Sequence, residues 1–147
     1  MTGRTFPLEA VQELARFREQ EAGRIVALAA ARLAEGRQKS EVLRDYRVQY
    51  SQQLITAAGD GVDAARIRDT LAFISRIDQA LEQQALEIER LEANWRVRVA
   101  EWNERTRELK TYGVLEQRHL DRLAVRDRRL EQRTSDEWAT RRRDGDV

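Results

Sequence analysis

From Ile67 to Leu130 the chain repeats apolar residues in alternating steps of four and three. The line runs Ile67, Leu71, Ile74, Asp78, Leu81, Ala85, Ile88, Glu92, Trp95, Val99, Trp102, Thr106, Leu109, Gly113, Glu116, Leu120, Leu123, Asp127, Leu130, and thirteen of these nineteen positions are apolar. The residues between them are mostly Arg, Glu, Asp, Gln and Ala. A heptad seam held for about nine repeats without a proline predicts one long coiled-coil helix. Such a seam needs a partner, and the chain supplies one. Helix-forming residues run from Pro7 to Ala58, with Pro7 suited to a first helical turn and Glu9 and Glu13 to the positive end of the helix dipole.

The break between them is Gly59-Asp60-Gly61. Gly59 can adopt the left-handed conformation that ends a helix, and Asp60 or Asp63 can cap the next one. The expected architecture is therefore all-α: one domain over 1–147, a long two-helix antiparallel coiled-coil hairpin. Helix 1 spans about 7–58, the loop 59–62, and the longer helix 2 about 63–142. Helix 1 would be ~78 Å long and helix 2 ~120 Å at the ordinary rise per residue. Folding about residue 61 sets Trp95 opposite Ala27, Ile88 opposite Ala34 and Ile67 opposite Ile55. The Ala-rich stretch of helix 1 thus meets the largest side chains of helix 2, and small against large fills space. The core of helix 2 is read as Ile67, Leu71, Ile74, Leu81, Ile88, Trp95, Val99, Trp102 and Leu109. Helix 1 has a poorer seam, weakened further by Gly23 and Gly36, and reads as the follower. From about residue 115 helix 2 is expected to overhang, frayed in isolation and ordered on binding.

Composition narrows the function classes. Charged residues make up 36% of the chain, yet the net charge is +1. That balance, with the seam, fits a long helix better than a globule. The absence of cysteine excludes disulfides and thiolate metal sites. No apolar run approaches the ~20 residues of a membrane span, and the N-terminus lacks an apolar signal core, so the expected location is the cytosol. There is no nucleophile–base arrangement, no phosphate-binding glycine loop and no metal-ligand cluster, so no catalytic, cofactor or metal site is expected. Asp78, Glu92 and Thr106 interrupt the seam at two-heptad intervals and read as register markers or partners for an arginine of helix 1. His119, the single histidine, reads as a surface residue.

Two regions stand out as interaction candidates. Near the loop, Phe73, Ile77 and Ala80 form a second stripe about 100° from the seam, at the levels of Leu43, Tyr46 and Tyr50. A stripe there means either a wider core or an exposed patch for another protein. The C-terminal segment is basic, with nine Arg against five acids from Arg118 to Arg143. It suits a solvated face or an acidic protein partner. Nucleic acid would call for a denser basic run ahead of a zipper. Gly113, after Tyr112, reads as a local weakness or a hinge.

The ordered elements Leu43-Arg44-Asp45-Tyr46 with Tyr50, Phe73-Ile74 with Ile77 and Ala80, Trp95 and Trp102, Leu115-Glu116-Gln117-Arg118, and Asp136-Glu137-Trp138-Ala139 with Arg141 resemble the FliJ family of flagellar export proteins and its type III secretion relatives. The resemblance spans nearly the whole chain. It implies a non-enzymatic cytosolic coiled coil that stands in the pore of the hexameric export ATPase, promotes its assembly and activity, and links it to the membrane export gate. It also implies possible service to export chaperones, an elongated monomer when alone, a place at the cytoplasmic face of the membrane, and neither nucleic acid nor a small-molecule substrate. Carried onto this chain, the gate patch is Leu43, Tyr46, Tyr50, Phe73, Ile77 and Ala80, with Gln84 where relatives can hold an imidazole. The overhang facing the ATPase or chaperones, assigned by region, is Leu120, Leu123, Arg126, Leu130, Arg133, Trp138 and Arg141. The alternatives are the stalk of a non-flagellar injectisome, or a purely structural coiled coil that oligomerises through the overhang.

Overall fold

The computed structural model describes residues 4–61 and 63–145. Val62, the last residue of the expected loop, lies outside the described residues. Two α-helices, α1 (Glu9–Gly59) and α2 (Ala64–Gly145), account for almost all of them and pack against each other. The fold is the all-α helical hairpin that the heptad pattern and the single break imply. Two compact units divide it. One takes Glu21–Trp102; the other joins the N-terminal residues up to Gln20 with the C-terminal ones from Asn103.

In the unit Glu21–Trp102 the chain reverses direction for local reasons. Asp63 Oδ1 accepts the Ala65 N–H at 3.2 Å, and the Asp63 carbonyl accepts those of Arg66 and Ile67. This caps donors that the first turn of α2 would otherwise leave free. The left-handed residue is Gly61, with φ +69°, not Gly59, which stays helical.

The core of this unit is thin. Ala29, Leu33, Ile74 and Ile77 are buried, with Gly36 and Ser40 beside them. Leu81, Ile88, Trp95, Val99 and Trp102 are half-buried along the expected seam, as is Ile67. Leu71 is a correction to that seam, at 49% exposed. The packed face of α2 is rotated toward the neighbouring flank, so Ile77, Gln84 and Leu91 come inward and Leu71 and Ala85 turn out. An antiparallel partner settles against whichever side of a seam gives the closest fit.

That fit comes from the glycines. A Cβ at Gly23 would lie 3.2 Å from Trp102 Nε1, and one at Gly36 would lie 2.9 Å from Leu91 Cδ1 and 3.7 Å from Ile88 Cγ1. Both glycines are notches that seat large side chains of α2. They also set the register. Trp102 sits over Gly23 rather than at the Gln20 level, and Arg37 reaches Glu92 at 2.6 Å rather than the Ala85 level. The helices are thus offset by about one turn from a fold centred on residue 61. Arg47 to Asp78 closes a second ion pair across the hairpin, at 2.5 Å.

In the other unit the N-terminal residues lie along α2. Gln12, only 6% exposed, donates from Nε2 to Glu116 at 2.7 Å. Phe6 packs on His119 with ring centroids 5.8 Å apart, and Arg4 pairs with Asp127 at 3.2 Å. Ala15 is buried, while Leu109, Tyr112, Leu115 and Leu123 are half-buried. This corrects two expectations. His119 is not a surface residue: its Nε2 is buried, with no hydrogen-bond partner. Residues 115–127 do not overhang, because the chain before Glu9 continues along α2 instead of leaving it. From Arg128 to Gly145 every residue of α2 is exposed.

Candidate functional site

The stripe near the turn divides into a floor and a surface. Ile77 is 5% exposed and belongs to the floor; its side chain is core, not patch. Gln84 is committed as well, its Nε2 donating to the Gly36 carbonyl at 2.9 Å. Leu43 and Ala80 are half-buried. The surface is aromatic. Tyr50 and Phe73 stack at 4.5 Å between centroids, tilted by 50°, and Tyr46 stands 50% exposed on the same helix as Tyr50. Tilted ring pairs hold their faces in place beyond simple area burial. Of the seven candidate residues, those offering substantial surface to a partner are therefore Tyr46 and Phe73, with Tyr50 behind them.

The surroundings of this surface are charged and paired. Asp78 accepts a hydrogen bond from Arg47 and faces it with opposite charge; together these raise the Arg47 guanidinium above its ordinary value. Val42, one turn before Tyr46, is also exposed and extends the apolar surface. The signal for it was the i, i+4 spacing of two apolar residues off the seam.

The C-terminal candidates lie within the other unit. Leu123 is half-buried and faces inward. Leu120 and Leu130 are each 50% exposed, Trp138 is 64% exposed, and Arg126, Arg133 and Arg141 are all on the surface. A shallow groove runs along α2 beside Arg122, Val125, Arg126, Arg129, Leu130 and Arg133, with the carboxylate of Asp121 at its edge. Its walls alternate guanidinium groups with apolar stems, an arrangement suited to an acidic helical or loop partner with some apolar surface. The final turn carries Arg142 and Arg143, which complement the negative end of the helix dipole.

Comparison with known proteins bears on the whole chain. Residues 4–144 match the family model described as flagellar FliJ protein. The chain belongs to the FliJ family. The flagellar FliJ protein of Salmonella typhi is 24% identical over 134 residues, covering 91% of each chain. The flagellar FliJ protein of Escherichia coli strain K12 is 21% identical over the same share. A solved chain from Chlamydia trachomatis, described as a candidate YscO homolog, is 18% identical over 92% of each chain with a TM-score of 0.44. Membership places this FliJ-family chain among flagellar proteins. No helix of its described residues is long and apolar enough to cross a membrane.

Proposed function

We propose that this FliJ-family protein is a non-enzymatic stalk and adaptor of the flagellar type III export apparatus. It binds the hexameric export ATPase through the C-terminal part of α2, promotes ring assembly and hydrolysis, and meets the membrane export gate through the aromatic surface of Tyr46, Tyr50 and Phe73. It works at the cytoplasmic face of the membrane, without a cofactor, and export chaperones are further partners. The observation that carries the reading is the exposed end of α2. From Arg128 to Gly145 the helix has lost its partner yet still bears Leu130, Trp138 and Arg141 at the surface. An unpartnered helix of this kind is marginal in water and gains order when a protein surrounds it. Arginines along it suit acidic surfaces and give salt-sensitive binding.

The test is the hydrolysis rate of the cognate export ATPase, titrated with the full chain and with a chain ending at Arg128. That endpoint keeps the pairing of Arg4 with Asp127 intact. Stimulation by the full chain that is lost on truncation supports the reading. Equal stimulation by both moves the contact into the hairpin, and no stimulation at any ratio overturns the ATPase role. For the gate, Tyr46→Ala should weaken capture by the gate's cytoplasmic domain while leaving helix content unchanged. Unchanged capture overturns the patch.

A further inference from the structure

Within the unit Glu21–Trp102, further from the turn than the aromatic surface, a pocket of about 300 Å³ opens between the two helices. From α1 it takes Ala30, Leu33, Ala34 and Arg37, and from α2 Glu92, Trp95 and Arg96. Leu33 is buried and forms the floor. Trp95 is half-buried, and Ala30 and Ala34 are exposed. The space exists because alanines stand where larger side chains would close over the indole.

Four residues of one helix surround the hole that receives a knob from a facing helix. Ala30, Leu33, Ala34 and Arg37, at i, i+3, i+4 and i+7, have the spacing of such a hole. The nearby knobs of α2 do not occupy it: Leu91 and Ile88 seat against Gly36, and Trp95 walls the hole without filling it. The distance between packed helices follows the side chains at the contact, so Ala30 and Ala34 let a third helix come close. The charges at the rim select what that helix carries. Arg37 and Glu92 hold each other at 2.6 Å and cancel. Arg96 is exposed and, among the described residues, pairs with no carboxylate. Glu92, one turn before it, is already held by Arg37. The pocket therefore has one uncompensated guanidinium, a group that binds a carboxylate through two parallel hydrogen bonds. Tryptophan and arginine side by side are also the residue types that carry most binding energy at interfaces.

We infer that this pocket docks a helix of another protein, one that presents a large apolar knob with an Asp or Glu one turn away. The knob enters against Trp95, Ala30 and Ala34, and the carboxylate pairs with Arg96. A basic residue at that place would put like charge on Arg96 and be rejected. The site lies wholly within one unit and shares no residue with the aromatic surface or the C-terminal arginines, so it stands or falls separately from the export reading.

Fluorescence anisotropy of labelled helical peptides, titrated with the full-length chain, tests it. One peptide carries a single leucine knob with glutamates one turn to each side. A second has lysines in place of the glutamates, and a third has alanine in place of the leucine. The acidic peptide should bind at least about tenfold tighter than either of the others. Arg96→Glu should reverse the preference toward the lysine peptide. Ala34→Leu fills the hole and should weaken the acidic peptide at least about tenfold. Both sites are exposed, so circular dichroism should show unchanged helix content. In nuclear magnetic resonance spectra, the acidic peptide should move the Ala30 and Ala34 methyl signals and the Trp95 indole signal. An acidic peptide that does not bind, or binds no better than the lysine peptide, overturns the inference. So does binding indifferent to both variants, or signal changes confined to the face from Arg122 to Arg133. A chain that dimerises in sedimentation velocity and loses the dimer with Ala34→Leu overturns it too, because the occupant is then a second copy.

Discussion

Ile77→Ala is the substitution that best separates core from surface in this protein. Ile77 is 5% exposed and is one of two residues of α2 that are buried. Truncation to alanine removes three buried carbon groups, which at about 0.8 kcal/mol each is about 2.4 kcal/mol of transfer free energy. A cavity term adds to this where neighbours cannot close in. Ala80, Leu81 and Ile74 stand on the same helix and move little, so the expected loss is about 3 kcal/mol. In a chain of this length, that lowers the thermal midpoint by about 6–12 °C. The control is Tyr46→Ala. Tyr46 is 50% exposed and makes no buried contact of this kind, so its expected cost is within about 0.5 kcal/mol. The assay is urea and thermal unfolding followed by far-ultraviolet circular dichroism, both variants side by side. If Ile77→Ala unfolds no earlier than Tyr46→Ala, Ile77 is not core, and the division of the stripe into floor and surface fails.

Three further outcomes are expected. Gly113 has open space where a Cβ would stand, so Gly113→Ala should stabilise α2 by about 0.5–1 kcal/mol in urea unfolding; if ATPase stimulation falls while stability rises, Gly113 is a hinge. Gln12→Ala strands the half-buried Glu116 and should cost about 1–3 kcal/mol, whereas Gln12→Leu with Glu116→Leu should recover most of it in the same assay. The hydrogen bond from Arg90 holds the Glu87 carboxyl below its ordinary value, with Arg90 and Lys39 charge adding to it. A depressed carboxyl stabilises above its unfolded value and loses that contribution as pH falls through the folded one. The thermal midpoints of wild type and Glu87→Gln should therefore differ slightly at neutral pH and converge below about pH 4, which a pH series of melts would show.

The hairpin itself was legible because its signals are local. Period, proline placement and the Gly59–Asp63 break each speak for a few residues at a time, and they agree. Register was not legible. It depends on which side chain of α2 finds which notch of α1, and Trp102 over Gly23 is a relation between residues far apart in sequence. The extent of the unpaired end of α2 was misjudged for a related reason. Helix signals stop near Pro7, but a chain need not be helical to stay in contact, and Phe6 and Arg4 follow α2 as far as Asp127. The aromatic surface was found by counting stripes, but a count cannot say which member of a stripe lies inward. Leu71 and Ile77 exchanged places because the packed face turned by part of a helical step.

Which helix leads the packing also depends on size. By apolar count α2 is the spine and α1 the follower. By burial the order reverses: α1 contributes Ala15, Ala29, Leu33, Gly36, Gln12 and Ser40, and α2 contributes Ile74 and Ile77. Two helices alone cannot surround a large side chain. A tryptophan laid across the seam keeps one side in water, as Trp95 and Trp102 do, and Gly23 under Trp102 is itself half-buried, while Ala15, Ala29 and Gly36 of α1 are buried. The small residues of α1 are therefore where fit is decided, and Gly23 and Gly36, which look like defects by helix propensity, are the positions that fix it. A bulky replacement at Gly36 meets Leu91 at once, and among the described residues no third helix stands ready to absorb the shift.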